Sequence, residues 1–172
     1  MKFKDYQKLT SQFAIYPKET ALEYLSLGLF SEVGEIAGLI KKKIRGDNLP
    51  DFDDLLKKEL GDVAWYLSEL ANHIGDDDDV CRDTHLKKAD KWSIVDAIAH
   101  IEDLVFDVNN ISCSVVNQNK REIHENVLYA IESWVCMVLL FGFDVDEVLD
   151  LNIKKLSSRQ ERCVITGSGD NR

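Results

Sequence analysis

Apolar side chains recur every three or four residues along almost all of the 172-residue chain, and no segment alternates as a strand does. This spacing collects the apolar side chains on one face of a helix, where neighbouring helices can bury them. Two prolines and nine glycines offer few of the turns that a many-stranded sheet protein needs. The pattern therefore predicts an all-α helical bundle.

The same periodicity predicts about six helices in one domain that spans residues 1–172. They cover about 3–14, 19–44, 51–73, 93–116, 122–141 and 144–158. Pro17 disfavours helix at the residue before it, while Ser93 and Asp144 are predicted N-caps. We expect a loop at the acidic run 76–79 and no helix over 159–172.

The charge, the cysteine spacing and the length of the apolar stretches argue against nucleic-acid binding, cysteine-based metal or redox sites and membrane association. Aspartate and glutamate number 31 against 21 lysines and arginines, a net charge of −10 that disfavours binding to nucleic acids or anionic membranes. The four cysteines lack the close spacing of a metal or redox motif. The longest apolar stretch, 134–143, is too short to span a bilayer. We therefore expect a cytoplasmic protein with no nucleic-acid or membrane partner.

Two predicted helices carry acidic residues where the helical spacing calls for apolar ones. Glu32 interrupts the apolar face of the second helix, and Glu35 follows one turn later on nearly the same face. In the third helix, Glu59 and Asp62 interrupt the apolar face with the same spacing. Burying four unpaired carboxylates would be strongly unfavourable. A divalent cation that prefers oxygen ligands, such as Mg²⁺, removes this cost.

Glycines support this interpretation, because Gly34 and Gly61 each lie between the two acids of a pair. Missing side chains there would let a metal-bound phosphate approach the backbone. The alternative is a solvated groove whose acids pair with lysines at 41, 42, 57 or 58. Two matched pairs in adjacent helices favour the metal site.

The last predicted helix has an amide where its spacing calls for an apolar residue. Asn152 occupies that position, and Lys155 and Arg159 lie along the same face. Such a set suits hydrogen bonding to a base or sugar together with charge pairing to phosphate. The alternative is an asparagine bonded to the backbone beside two solvated cations.

The segments Glu32-Val-Gly-Glu35 and Glu59-Leu-Gly-Asp62-Val-Ala-Trp-Tyr66 resemble the ExxE and ExxD metal signature of MazG-type all-α nucleoside triphosphate pyrophosphohydrolases. Ala14-Ile-Tyr-Pro-Lys18 and the stretch from Asn152 to Arg172 are similar to a small-protein branch of that family. The resemblance covers about 1–75 and 142–172. It departs at Cys163, where the family has glycine, and in an insertion over 76–141.

The resemblance implies that Glu32, Glu35, Glu59 and Asp62 are catalytic and bind Mg²⁺, with Mn²⁺ as a substitute. The enzyme would cleave a ribo- or deoxyribonucleoside triphosphate between its α and β phosphates, giving the monophosphate and pyrophosphate. Six residues are candidates for substrate binding: Lys18, Tyr66, Asn152, Lys155, Arg159 and Arg162. Two alternatives are a catalytically silent nucleotide-binding or interaction protein and a phosphoribosyl-ATP pyrophosphohydrolase.

The insertion reads as a second helical hairpin without metal-binding acids. Its first helix has a predicted apolar face at Ile94, Ile98, Ile101, Val105, Val108, Ile111 and Val115. Its second helix is apolar on nearly all sides from Trp134 to Phe141. We predict a four-helix core with one metal site per chain, and a homo-oligomer that is most simply a dimer. The competing interpretation is a plain insertion outside the catalytic bundle.

Overall fold

A computed structural model describes residues 1–75 and 87–164, and within these ranges the chain is helical with no strand. Its α-helices are α1 (Phe3–Thr10), α2 (Ala21–Arg45), α3 (Phe52–Ile74), α4 (Ile94–Val116), α5 (Lys120–Leu140) and α6 (Val145–Glu161). The predicted all-α architecture is therefore confirmed. The acidic run 76–79 and the end of the tail, 165–172, lie outside the described residues.

The helix boundaries differ from the predicted ones at the two ends of the chain. α1 stops at Thr10, and a short 3₁₀ turn, Ser11–Phe13, follows it before Ala14 becomes extended. A second 3₁₀ turn, Lys18–Thr20, leads into α2. At the other end, α6 continues to Glu161, beyond the predicted stop at 158.

Side-chain caps fix the start of two helices as predicted. The Ser93 hydroxyl accepts the Asp96 N–H at 3.2 Å, and an Asp96 carboxylate oxygen accepts the Ser93 N–H at 3.1 Å. The Asp144 carboxylate accepts the Glu147 N–H at 3.3 Å. Each contact satisfies a backbone donor that the first turn of a helix leaves unpaired.

Four helices form the central bundle. α2 packs against α3 and α4 packs against α5, and the two hairpins are joined because α4 contacts α2 and α5 contacts α3. α1 and α6 lie on the outer side of α3. The α4–α5 hairpin thus packs against the α2–α3 hairpin as part of the bundle.

α5 provides the most apolar surface of this core. Trp134 is fully buried, and its indole N–H donates to the Leu60 carbonyl oxygen at 2.9 Å, which ties α5 to α3. By length and composition α5 is the one helix in the described ranges that could cross a membrane. Packing against α3 and α4 accounts for that composition.

The predicted buried face of α4 is wrong in its first half. Ile94, Ile98 and Val105 are exposed, whereas Ala97 and Leu104 are fully buried. α4 is apolar around much of its circumference, so periodicity alone cannot choose the buried face. Contact with α2 and α5 decides it.

Truncation of Trp134 tests the junction between α3 and α5. Trp134→Ala should lower the free energy of unfolding by roughly 3–5 kcal/mol, because it opens a large cavity and removes the bond to α3. Urea unfolding followed by circular dichroism measures this change. Tyr129→Ala on the same helix, where the side chain is 57% exposed, is the control and should change stability little.

Candidate metal centre

Three of the four predicted acids come together where α2 crosses α3. Glu32, Glu59 and Asp62 each place one carboxylate oxygen within 4.8 Å of the others. Glu59 is 6% exposed, and Glu32 and Asp62 are half-buried. Glu35 lies one turn beyond Glu32 on the exposed side of α2 and is not one of the three.

Burial and neighbouring like charges together raise the pKa of one acid of this centre. The pKa of Glu32 is raised to about 8, first by burial and then by the negative charges of Asp62, Glu35 and Glu59, while Lys155 opposes the shift. A crowded set of carboxylate oxygens with excess negative charge is the donor set that a hard divalent cation requires. The residues present therefore fit Mg²⁺ or Mn²⁺.

A chain of polar contacts from α6 and α1 holds Asp62. The Lys155 ammonium donates to both carboxylate oxygens of Asp62, to Oδ1 at 2.6 Å. The Asn152 amide nitrogen also donates to Oδ1, at 2.9 Å, and the Asn152 oxygen accepts the Tyr6 hydroxyl at 2.7 Å. Asn152 and Tyr6 are buried. The predicted contacts of Asn152 and Lys155 with substrate stay predictions, since both side chains bind Asp62 here.

The two glycines between the acids have different surroundings. A Cβ on Gly61 would lie 2.9 Å from the Asn152 Cβ, so this glycine makes room for Asn152. The interpretation of Gly61 as an approach for phosphate is therefore wrong, because α6 fills that space. A Cβ on Gly34 would have nothing within 4 Å, and Gly34 is exposed beside the acids.

Aromatic side chains flank the acids on the side of the α2 N-terminus. The Tyr66 ring covers Gly28, where a Cβ would lie 2.1 Å from the ring, and its centroid is 4.9 Å from that of Trp65. Tyr24 lies 6.4 Å from Tyr66 and stacks on Tyr16 at 5.4 Å. Burial, Tyr24 and Glu32 raise the pKa of Tyr66, so it stays a neutral phenol near the acids.

The remaining predicted residues lie around the ends of α2 and α6. Lys18 is exposed in the 3₁₀ turn before α2, Arg159 is buried, and Arg162 is exposed and donates to the Ser158 carbonyl at 3.2 Å. Cys163 adopts φ 57°, the left-handed conformation that glycine takes easily. The turn thus keeps a glycine-like conformation without glycine.

Sequence reasoning missed Glu69, which is 1% exposed. Its carboxylate accepts the hydroxyl of Thr10 at 2.6 Å, that of Tyr16 at 2.8 Å and the amide of Asn72 at 2.9 Å. These bonds fasten the segment between α1 and α2 to α3. The available signal was its spacing of seven residues from Asp62, which places both acids on one side of α3.

Alanine at the two glycines tests their different surroundings. Gly34→Ala should raise the free energy of unfolding by up to about 1 kcal/mol, because alanine is the better helix former and meets open space. Gly61→Ala should lower it, because Asn152 must move and its bond to Asp62 is lost. Thermal unfolding measures both, and equal effects of the two substitutions would contradict these assignments.

The raised pKa of Glu32 predicts a pH dependence of stability. A folded-state pKa of about 8 against 4.5 for an ordinary glutamate means that the folded chain holds this proton more tightly. Stability from this group is therefore full below the unfolded value and is lost as pH rises toward 8. In EDTA, the melting temperature of Glu32→Gln should rise relative to that of the wild-type chain as the pH goes from 5 to 9.

Glu23→Gln, at an exposed position in the first turn of the same helix, is the matched control and should show no such trend. An advantage of Glu32→Gln that is independent of pH would contradict the assigned shift.

Part of the chain is similar to a known phage protein. The chain is 41% identical over 78 residues to the Gene 37 protein of Mycobacterium phage L5, an alignment that covers 40% of this chain and 68% of the relative. No family model and no solved structure matches the chain.

Proposed function

We propose a function for this chain, which belongs to the same family as the Gene 37 protein of Mycobacterium phage L5. The proposal rests on the carboxylate site, because the name of that phage protein specifies no activity. The function is metal-dependent hydrolysis of a nucleoside triphosphate to the monophosphate and pyrophosphate. One observation carries it: three carboxylates from two helices and a lysine from a third converge at one half-buried place.

Glu32, Glu59 and Asp62 would hold Mg²⁺ or Mn²⁺, and Glu35 would join them as the resemblance to MazG-type enzymes implies. The bound ion would neutralise phosphate charge and lower the pKa of water, as divalent ions do in hydrolases. The nearby charges favour an anionic substrate only together with the ion, because the carboxylates alone repel phosphate.

The protein's own residues supply positioning. Lys155 and Asn152 both donate to Oδ1 of Asp62, and Tyr6 fixes Asn152 in turn. Lys155 also brings a positive charge within reach of a phosphate bound at the acids. The open surface at Gly34 leaves the chain backbone accessible beside them.

Proton transfer from the attacking water would fall to one of the carboxylates of the metal centre itself. Glu35 is exposed and lies one turn from Glu32, which makes these two the candidates for orienting that water as general base. Water would add to the α phosphorus as the bond to the β phosphate breaks, and pyrophosphate would leave. Tyr66 remains the candidate for packing on the base.

Substitution of Glu59 tests the catalytic assignment. Glu59→Gln should lower pyrophosphate release by at least about 10- to 100-fold, the loss typical of residues that only support a metal ligand, because it removes one charged oxygen from the metal set while keeping its shape. The assay is pyrophosphate release over a panel of ribo- and deoxyribonucleoside triphosphates and phosphoribosyl-ATP with Mg²⁺. Asp53→Asn, an exposed acid on the same helix, is the control.

Full turnover in Glu59→Gln would contradict the proposal. Stabilisation by Mg²⁺ without pyrophosphate release from any substrate would support the silent nucleotide-binding alternative instead.

Substitution of Lys155 tests the phosphate contact. Lys155→Ala should weaken substrate binding by about 1.5–3 kcal/mol, a rise in KM of roughly 10- to 150-fold. Its neighbour Lys154 is exposed, and Lys154→Ala should leave KM near the wild-type value. Unchanged KM and kcat in Lys155→Ala would show that the phosphates bind elsewhere.

A further inference from the structure

The outer face of α4 carries large apolar side chains exposed to solvent. The exposed fractions are 75% for Val95, 43% for Ile98, 40% for Val105, 65% for Phe106 and 80% for Val116. Over the same helix, Ala97, Leu104, Val108 and Ile111 are fully buried against the bundle. α4 therefore has two apolar faces, and the bundle covers one of them.

The exposed face is symmetric about its midpoint, between Val105 and Phe106. Starting from that midpoint, Glu102 and Asn109 are equally distant on the two sides. The next pair outward is Ile98 with Cys113, and the last is Val95 with Val116. All eight residues are exposed, and together they form what we call the stripe of α4.

A second α4 that lies antiparallel across a two-fold axis at this midpoint would meet matching chemistry at every position. Val95 would face Val116, Ile98 would face Cys113, and Val105 would face Phe106. The Glu102 carboxylate would face the Asn109 amide, which can donate to it. A parallel pair would instead set Glu102 against its own copy, and like charges repel.

We propose that the outer face of α4 is the docking surface for a second copy of this chain, in an antiparallel two-fold dimer. Such an interface uses the same patch on both subunits, as a self-complementary stripe requires. The stripe extends over most of the 23 residues of α4, a helix about 34 Å long. This proposal stands apart from the proposed hydrolysis, since it uses none of the metal-site residues.

Engineered disulfides test the register. Ile98→Cys should give a covalent dimer under mild oxidation, because the partner's Cys113 would lie opposite. Adding Cys113→Ser to the same chain should abolish that dimer. Asp103→Cys, exposed on α4 but outside the stripe, should not cross-link. A covalent dimer of Ile98→Cys that persists without Cys113 would overturn the register.

A charge at the centre of the stripe tests the surface itself. The wild-type chain should sediment as a dimer. Phe106→Asp should sediment as a monomer with unchanged helicity, because the two-fold axis would place the two introduced carboxylates close together. Tyr129→Asp, at a 57% exposed aromatic on α5, should remain a dimer.

Two results would overturn the proposal. One is a dimer that survives Phe106→Asp, which would locate the interface elsewhere. The other is a wild-type chain that sediments as a monomer. If that monomer also floats with phosphatidylglycerol vesicles, the stripe binds a lipid surface and not a second copy of the chain.

Discussion

The site depends on the Asp62 carboxylate, which accepts hydrogen bonds from the ammonium of Lys155 and the amide of Asn152. Acids placed between helices that also form a core are costly, because burial and mutual repulsion both oppose their charge. Burial and the neighbouring carboxylates accordingly raise the pKa of Glu32. Lys155 offsets part of it, and α6 is positioned to supply that lysine.

Polar contacts also fasten the helices outside the four-helix bundle to α3 and to each other. α1 contributes Tyr6, which fixes Asn152, and Thr10, which donates to the buried Glu69. α3 thus has a polar side that binds α1 and α6, and an apolar side that packs on α5 through Leu60 and Trp134. The α4–α5 hairpin packs against the first hairpin through contacts of α4 with α2 and of α5 with α3.

The sequence was informative where polar residues interrupt an apolar face. Glu32, Glu59 and Asp62 stood out for that reason, and the caps at Ser93 and Asp144 followed from local chemistry alone. The buried face of α4 could not be read, because that helix is apolar on two faces and only its neighbours choose between them. Gly61 and Glu69 depend on contacts with distant segments, Asn152 in one case and Thr10 with Tyr16 in the other.

Anomalous diffraction from crystals soaked with Mn²⁺ is the most direct measurement of the central claim, that the acids of α2 and α3 form a metal site. We expect an anomalous peak bounded by carboxylate oxygens of Glu32, Glu59 and Asp62, and loss of that peak in Glu59→Gln. Saturating Mn²⁺ that gives no peak at these three residues, or a peak that is unchanged in Glu59→Gln, would contradict it.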